Sequence, residues 1–449
     1  MMSLQRRLWA VKSNNRIVVA LLLSVAALGC FALAYNRQPP SDAAASGSGF
    51  KWGMLKNDAA HIKDTLDELL HVPPEEVGGI AICASIKNEA RFITEWLLYH
   101  RAVGVDRFYL YDTGSTDTTL EVLQPWMGTG TVVLHRFNGD QGANFQMNSL
   151  ETCSRTYGPT TDWILDCDVD EFWVATASLT SHQRLPGATT FKMPDQPLRR
   201  LLFDNPVYTK ADAVVASRVT WKNAGIRRLP QEASVLASQS LRDFYHTIPL
   251  ERLQYTKSLL HTAKKPGWYI PGAHYLRHNG LAKEKARIIT ADGRAVPPDD
   301  LELGAANPGT LYKGQQPVRV FEPLVMYHYI ERDLDNCLEK IHNEQKLGTG
   351  SWRVQGGEKG CSSFVLYQPD DWVPLTKKED FYSVAVKDLT MSNSWYGQHL
   401  PGLIKLAHAR ANLMVAANGT REPHRVDAHP ALVAAWRQNG RNRTNGLRL

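Results

Sequence analysis

From Gly78 to Arg136 the chain alternates apolar runs of strand length with runs of helical period, and that order restricts the fold more than any other feature. G-G-I-A-I-C-A-S-I-K-N-E-A reads as a buried strand ending in polar residues, and R-F-I-T-E-W-L-L-Y-H-R-A-V-G has helical periodicity with Gly104 as its stop. D-R-F-Y-L-Y-D-T-G-S-T-D reads as a second strand closing in an acid-rich turn. T-L-E-V-L-Q-P-W follows as a helix closed by Pro125, and T-V-V-L-H-R-F as a third strand. Strand, helix, strand, helix, strand predicts an α/β domain with a mixed, mainly parallel central sheet. In such sheets ligands sit beyond the carboxyl ends of the strands, where K-N-E, D-T-G-S-T-D and D-V-D-E all fall. Beyond Phe191 the pattern loosens.

The third of these clusters lies in W-I-L-D-C-D-V-D-E-F-W, Trp163 to Trp173, which sets Asp166, Asp168, Asp170 and Glu171 in an apolar frame. If the chain stays extended, alternation points the three aspartates one way, and like charges so bunched require a cation among them. A divalent ion on oxygen ligands is the first candidate. An EF-hand loop counted from Asp166 would need Gly and Glu where Glu171 and Ala177 stand, so that reading fails. Two readings stay open on spacing: an aspartyl phosphatase with Asp166-Cys167-Asp168 as its D-x-D, and a nucleotide-sugar transferase with Asp168-Val169-Asp170.

The 449 residues suffice for one large or two ordinary domains, and a net charge of +6 with no dominant basic stripe argues against nucleic acid as a partner. Residues 17–35 are uncharged and apolar, follow Arg6, Arg7, Lys12 and Arg16, and exceed the usual signal-peptide core of about 7 to 15 residues. They read as one N-terminal transmembrane helix with the tail 1–16 cytosolic and the rest lumenal, a single-pass type II arrangement. Ala32-Leu33-Ala34 keeps a cleaved signal peptide as the competing reading. Residues 36–77 read as a stem, 78–415 as the catalytic domain, and 416–449 as a basic tail. Within the domain, 78–190 form the nucleotide and metal half and 191–415 the acceptor half. Asn418 and Asn442 are glycosylation acceptors by motif, and five cysteines follow the anchor in a compartment that permits disulfides.

The stretch from Ala84 to Asp117, the segment W-I-L-D-C-D-V-D-E-F, and the spacing of Gln146, Ser149 and Cys153 resemble glycosyltransferase family 92. Y-T-K-S-L-L-H, P-G-A-H-Y-L and V-M-Y-H-Y-I-E-R-D-L-D-N-C-L-E-K resemble its downstream blocks, so the likeness runs from about Gly78 to Gly350. It implies a GT-A fold, Rossmann-like, and a UDP-sugar donor held by Mn2+ or Mg2+. It further implies inverting transfer of a hexose, galactose first among them, to a glycan acceptor in the Golgi. An inactive member that only binds glycan or nucleotide is the alternative within the family.

By that resemblance Asp168 and Asp170 hold the metal, with His328 as third ligand, and Asp168 also reaches the nucleotide. Ser85, Lys87, Asn88, Glu89 and Asp112 line the nucleotide, with helix capping as the competing role for Asn88 and Glu89. Ser115 and Asp117 read as turn and cap residues. Glu171, Glu232 and Asp243 are the candidates for the base that an inverting transfer needs. L-A-S-Q-S-L-R, from Leu236, lacks an expected acid, and Ala224 in W-K-N-A-G replaces an expected aromatic. Trp268, Tyr269 and His274 are candidate acceptor contacts.

Overall fold

The structure is a computed structural model, and it describes residues 55–71, 78–136, 145–180, 195–222, 226–243, 256–263, 268–272, 275–278, 287–296, 320–346 and 385–418. The expected anchor 17–35, most of the stem, His274, the 223–225 loop, Asn442 and the tail beyond Asn418 lie outside these residues. Among the described residues no helix is long and apolar enough to cross a membrane.

After helix α1 (Leu55–Leu70) come β1 (Ile80–Ile86), α2 (Ile93–Val103), β2 (Arg107–Asp112), α3 (Thr119–Gly128) and β3 (Val132–Arg136). Then follow α4 (Phe145–Tyr157), β4 (Trp163–Asp166), β5 (Glu171–Ala175), β6 (Ala213–Ala216) and β7 (Arg218–Lys222). A short α5 (Val235–Ser238), β8 (Leu241–Asp243), β9 (Lys257–His261), β10 (Trp268–Gly272), β11 (Tyr275–His278) and β12 (Ile288–Thr290) come next. The series ends with β13 (Leu324–His328), α6 (Leu334–Lys346), β14 (Ala385–Lys387) and α7 (Trp395–Asn418).

The expected strand and helix order from Gly78 to Arg136 is present, with one difference. Helix α3 runs through Pro125 to Gly128 instead of stopping there. A proline removes one intrahelical donor, and only one further turn has to tolerate that loss. Gly104 closes α2 at φ 108°, and a Cβ there would come within 2.5 Å of Arg199 Cβ.

The main sheet has seven strands in the order β12-β6-β9-β4-β1-β2-β3. β1 pairs in parallel with β2 and β4, and β2 with β3, whereas β9 runs antiparallel to both β4 and β6. A second sheet, β14-β8-β7-β13-β5, takes up the chain where the first releases it, because β4 ends at Asp166 and β5 begins at Glu171. The mixed, mainly parallel α/β architecture read from the sequence is therefore observed.

Burial of both faces explains why β1 is apolar but for Ser85 near its end. Ile80, Ile82, Ala84 and Ile86 join one core with Trp96, Leu97 and Val103 of α2, while Ala81 and Cys83 face a second core with Cys153 and Leu260. A disulfide between Cys83 and Cys153 ties α4 to that second face, and Cys337 is also disulfide-bonded.

Glu95 of α2 is buried and joins the two sheets' surroundings by accepting from Ser234 Oγ at 2.5 Å, Val235 N at 2.7 Å and Leu236 N at 3.2 Å. The Val235 and Leu236 N–H groups open α5 and lack intrahelical acceptors, while Ser234 caps the helix by accepting from Ala237 N–H at 2.9 Å. Glu95→Ala is expected to cost roughly 3 kcal/mol by stranding buried donors. Burial raises the Glu95 carboxyl from 4.5 to about 7, against the opposing hydrogen bonds. The folded chain then holds the extra proton between those values, so this contribution to stability falls as pH rises from 4.5 to about 7. Urea unfolding of both proteins across that window checks the cost and its narrowing with pH.

Candidate functional site

The acid stretch does not continue as a strand. Asp166 ends β4, residues 167–170 turn, and Glu171 N–H donates to Asp168 O at 2.9 Å as β5 starts. Strand alternation therefore does not set the three aspartates; the turn between the two sheets does.

Helix α2 braces that turn from behind. Trp96 Nε1 donates to Glu171 O at 3.0 Å, Tyr99 OH to Trp173 O at 3.0 Å, and Trp173 N–H reaches His100 Nε2 at 3.4 Å. Burial lowers His100 to about 3, so the ring is neutral, with Nδ1 donating to Trp96 O. These polar atoms recur at i, i+3 and i+4 along E-W-L-L-Y-H, on one helical face.

The cation among the acids is a lysine. Lys257 opens β9 with a wholly buried side chain, its Nζ 2.8 Å from Glu171 Oε2 and 3.3 Å from both Asp166 Oδ2 and Asp168 Oδ2. Burial opposes its charge, but the three carboxylates outweigh that and raise it well above the ordinary lysine value. One ammonium leaves two negative charges in excess, and in a dry setting burial pushes Glu171 up to about 8 and Asp166 up to about 7. Glu171 Oε2 also accepts from Asp168 N–H at 3.0 Å, and its side chain is 1% exposed. It is placed to support the turn.

Asp168 is the most open of the group, its side chain 28% exposed, and Oδ1 accepts from Gln146 Nε2 of α4 at 2.8 Å. Asp170 points to other partners. Its Oδ2 lies 2.5 Å from Lys340 Nζ of α6 and its Oδ1 lies 3.5 Å from Nε2 of His328, the last residue of β13. Burial works against ionisation of Asp170, yet Lys340, His328 and Arg332 outweigh it and hold the carboxyl well below the carboxylate range. Burial lowers His328 to about 4, leaving it neutral.

An anionic carboxylate and a neutral imidazole are the protonation states a metal requires. Ligand distances near 2.1 Å at right angles put two donors about 3 Å apart, so the Asp170 Oδ1 to His328 Nε2 spacing fits a divalent cation. Asp168, expected to hold the metal together with Asp170, is turned to Lys257 and Gln146. Among the described residues no three His, Cys, Asp or Glu side chains gather as a complete metal cluster.

The nucleotide candidates divide. Lys87 is exposed and Ser85 half-buried at the end of β1. Asn88, at φ +56°, accepts from Thr116 N–H at 2.8 Å, so it ties two loops and does not cap α2, whose N-cap is Phe92. Glu89 Oε2 receives Arg332 Nη1 at 2.8 Å. Asp112 is buried, with Oδ1 accepting from Ser115 N–H and Oγ and Oδ2 lying 3.6 Å from Arg136 Nε. Ser115 and Asp117 are turn residues, Asp117 accepting from Ala90 and Thr119 backbone N–H groups. Glu232 is exposed, and its described electrostatic partner is His408 of α7. Asp243 ends β8, its backbone paired with Ala385 of β14, and Trp268 and Tyr269 start β10.

Lys257, Lys340 and Arg332 were not among the residues singled out from sequence. A lone lysine within the apolar strand K-S-L-L-H was the available signal for the first.

Residues 79–211 match the model of glycosyltransferase family 92, which bears out the family read from the sequence over that stretch; the downstream blocks lie beyond it. A glycosyltransferase family 92 protein of Oryza sativa subsp. japonica is 32% identical over 97 residues, 21% of this chain and 16% of that one. Galactan beta-1,4-galactosyltransferase GALS3 of Arabidopsis thaliana is 35% identical over 89 residues, 18% of this chain and 17% of that one. The match thus spans about one sixth of each relative's length. Among solved structures, S. aureus TarS 1-349 is 13% identical with a TM-score of 0.26, covering 80% of this chain and 92% of that one.

Removing Lys257 should expose what the buried cation does. Lys257→Met is expected to cost roughly 3–5 kcal/mol, because three carboxylates lose their counter-charge in a dry site. Adding Asp166→Asn and Glu171→Gln should recover part of it, and thermal melting of the three proteins checks both expectations.

Proposed function

We propose that this chain is a glycosyltransferase of the GT-A kind that moves a hexose, galactose first, from a UDP-sugar to a glycan acceptor, with inversion and with a divalent metal. The observation that carries the reading is the pair Asp170 and His328, anionic and neutral, set 3.5 Å apart at the turn joining the two sheets. That turn lies inside the segment matching family 92, and the name of the Arabidopsis relative supports galactose as the sugar.

On this reading Asp170 and His328 hold the cation, and the metal when bound supplies Lewis-acid neutralisation of the leaving diphosphate. Asp168, partly exposed and steered by Lys257 and Gln146, faces the donor beside it. Glu171 and Lys257 keep Asp168 fixed, and α2 keeps the turn rigid through Trp96, Tyr99 and His100, so little has to reorganise when charge develops. Asp166 is buried against Lys257, which leaves no approach for a phosphate ester and disfavours the phosphatase reading.

The Golgi location and type II anchoring are part of the same proposal. They rest on the apolar run 17–35 and are supported by the Cys83–Cys153 disulfide, since such bonds persist in oxidising compartments.

Release of UDP from a panel of UDP-sugars with Mn2+ and a glycan acceptor tests the activity. Turnover is expected with UDP-galactose, reduced about 100-fold or more in Asp170→Ala. No turnover with any donor would leave a binding protein as the better reading, and phosphate release lost in Asp166→Ala would favour the phosphatase.

A further inference from the structure

Two lysines enter the acid turn, and they differ in freedom. Lys257 is wholly enclosed by three carboxylates. Lys340 reaches in from the open side of α6: its side chain is 22% exposed, and its ammonium rests on two acceptors, Asp170 Oδ2 at 2.5 Å and Ile330 O at 3.1 Å. The helix beneath it is fixed independently. Asp333 Oδ1 accepts from Asn336 N–H at 2.7 Å, Asp333 also pairs with Arg91, and Cys337 is disulfide-bonded. The flexible four-carbon stem of Lys340 can therefore swing without moving the backbone.

Charge balance around Asp170 gives that swing a purpose. Arg332 acts on Asp170 but is committed to Glu89 at 2.8 Å and lies over the Phe92 ring, 3.8 Å from its centroid. Lys340 is thus the cation in contact with Asp170. A divalent ion seated between Asp170 Oδ1 and His328 Nε2 would have to share the Asp170 carboxylate with the Lys340 ammonium, so the two cations compete for one anionic side chain. A diphosphate offers further anionic oxygens, and lysine is a common phosphate partner.

We propose that Lys340 is an exchangeable cation of the donor site: it holds Asp170 when no donor is present, opposes entry of the metal alone, and passes to the diphosphate when metal and nucleotide enter together. This rests on the donor-site reading above. It makes metal and nucleotide diphosphate binding strongly coupled, and Lys340 a positioning residue for both.

The test is a titration of the full-length protein with Mn2+, free ion read by its electron paramagnetic resonance signal, with and without UDP. For the native protein Mn2+ alone is expected to bind weakly and UDP to tighten it about tenfold or more. In Lys340→Met, Mn2+ alone should bind about tenfold tighter, UDP about tenfold weaker, and the coupling between them should fall. Lys340→Gln is a second neutral variant should the first fail to fold, and Lys340→Arg, which keeps the charge, should bind Mn2+ alone as the native protein does. If the native protein binds Mn2+ with UDP while the neutral variants bind Mn2+ alone no better than it does, the role of Lys340 is overturned and the donor site stands. If the native protein binds no Mn2+ even with UDP, both fall.

Discussion

A single ammonium buried among three carboxylates decides the geometry of this molecule's centre. Chains rarely place a lysine where water cannot reach it, because the ion's desolvation must be matched by charges already in place. Here Lys257 and the acids of the β4–β5 turn match one another because β9, which carries the lysine, pairs antiparallel with β4. Because β9 runs against β4, its first residue lies level with the end of β4, at the carboxyl edge of the parallel strands where ligands gather. A parallel strand in the same place would have brought its last residue there instead.

The same turn joins two sheets and is buttressed by α2, so fold and candidate site share their supports. Trp96 and Tyr99 are core residues by burial and site residues by their hydrogen bonds to Glu171 O and Trp173 O. Asp170 then meets His328 because β13 pairs antiparallel with β5, bringing His328 opposite Glu171. The candidate metal pair is thus a product of strand register, from segments far apart in the chain.

The α/β order was legible from Gly78 to Arg136 because buried parallel strands and amphipathic helices write their periods plainly. The importance of the D-C-D-V-D-E stretch was legible too, since such charge in an apolar frame demands compensation. What supplies it was not. A metal was the first candidate, whereas Lys257 and Lys340 come from strands and helices that only tertiary pairing brings near. The extended reading of the three aspartates also failed, because alternation holds only while a strand lasts and β4 stops at Asp166. Glu89 and Asp112 looked free for a nucleotide in the sequence. Ser115 reaches Asp112 within its own turn, three residues on, whereas Arg332, which pairs with Glu89, is recognisable as a partner only once the chain beyond β13 meets the end of β1.

The reversed strand has a consequence for how the chain is made. Lys257 lies 91 residues beyond Asp166 and Lys340 lies 170 beyond Asp170, both outside the stretch 79–211 that matches the family. During synthesis the acid turn therefore emerges well before either of its counter-ions, which arrive with β9 and then α6. The matched stretch is in that sense a half-written site, since the counter-ions of its acid turn are encoded downstream of it.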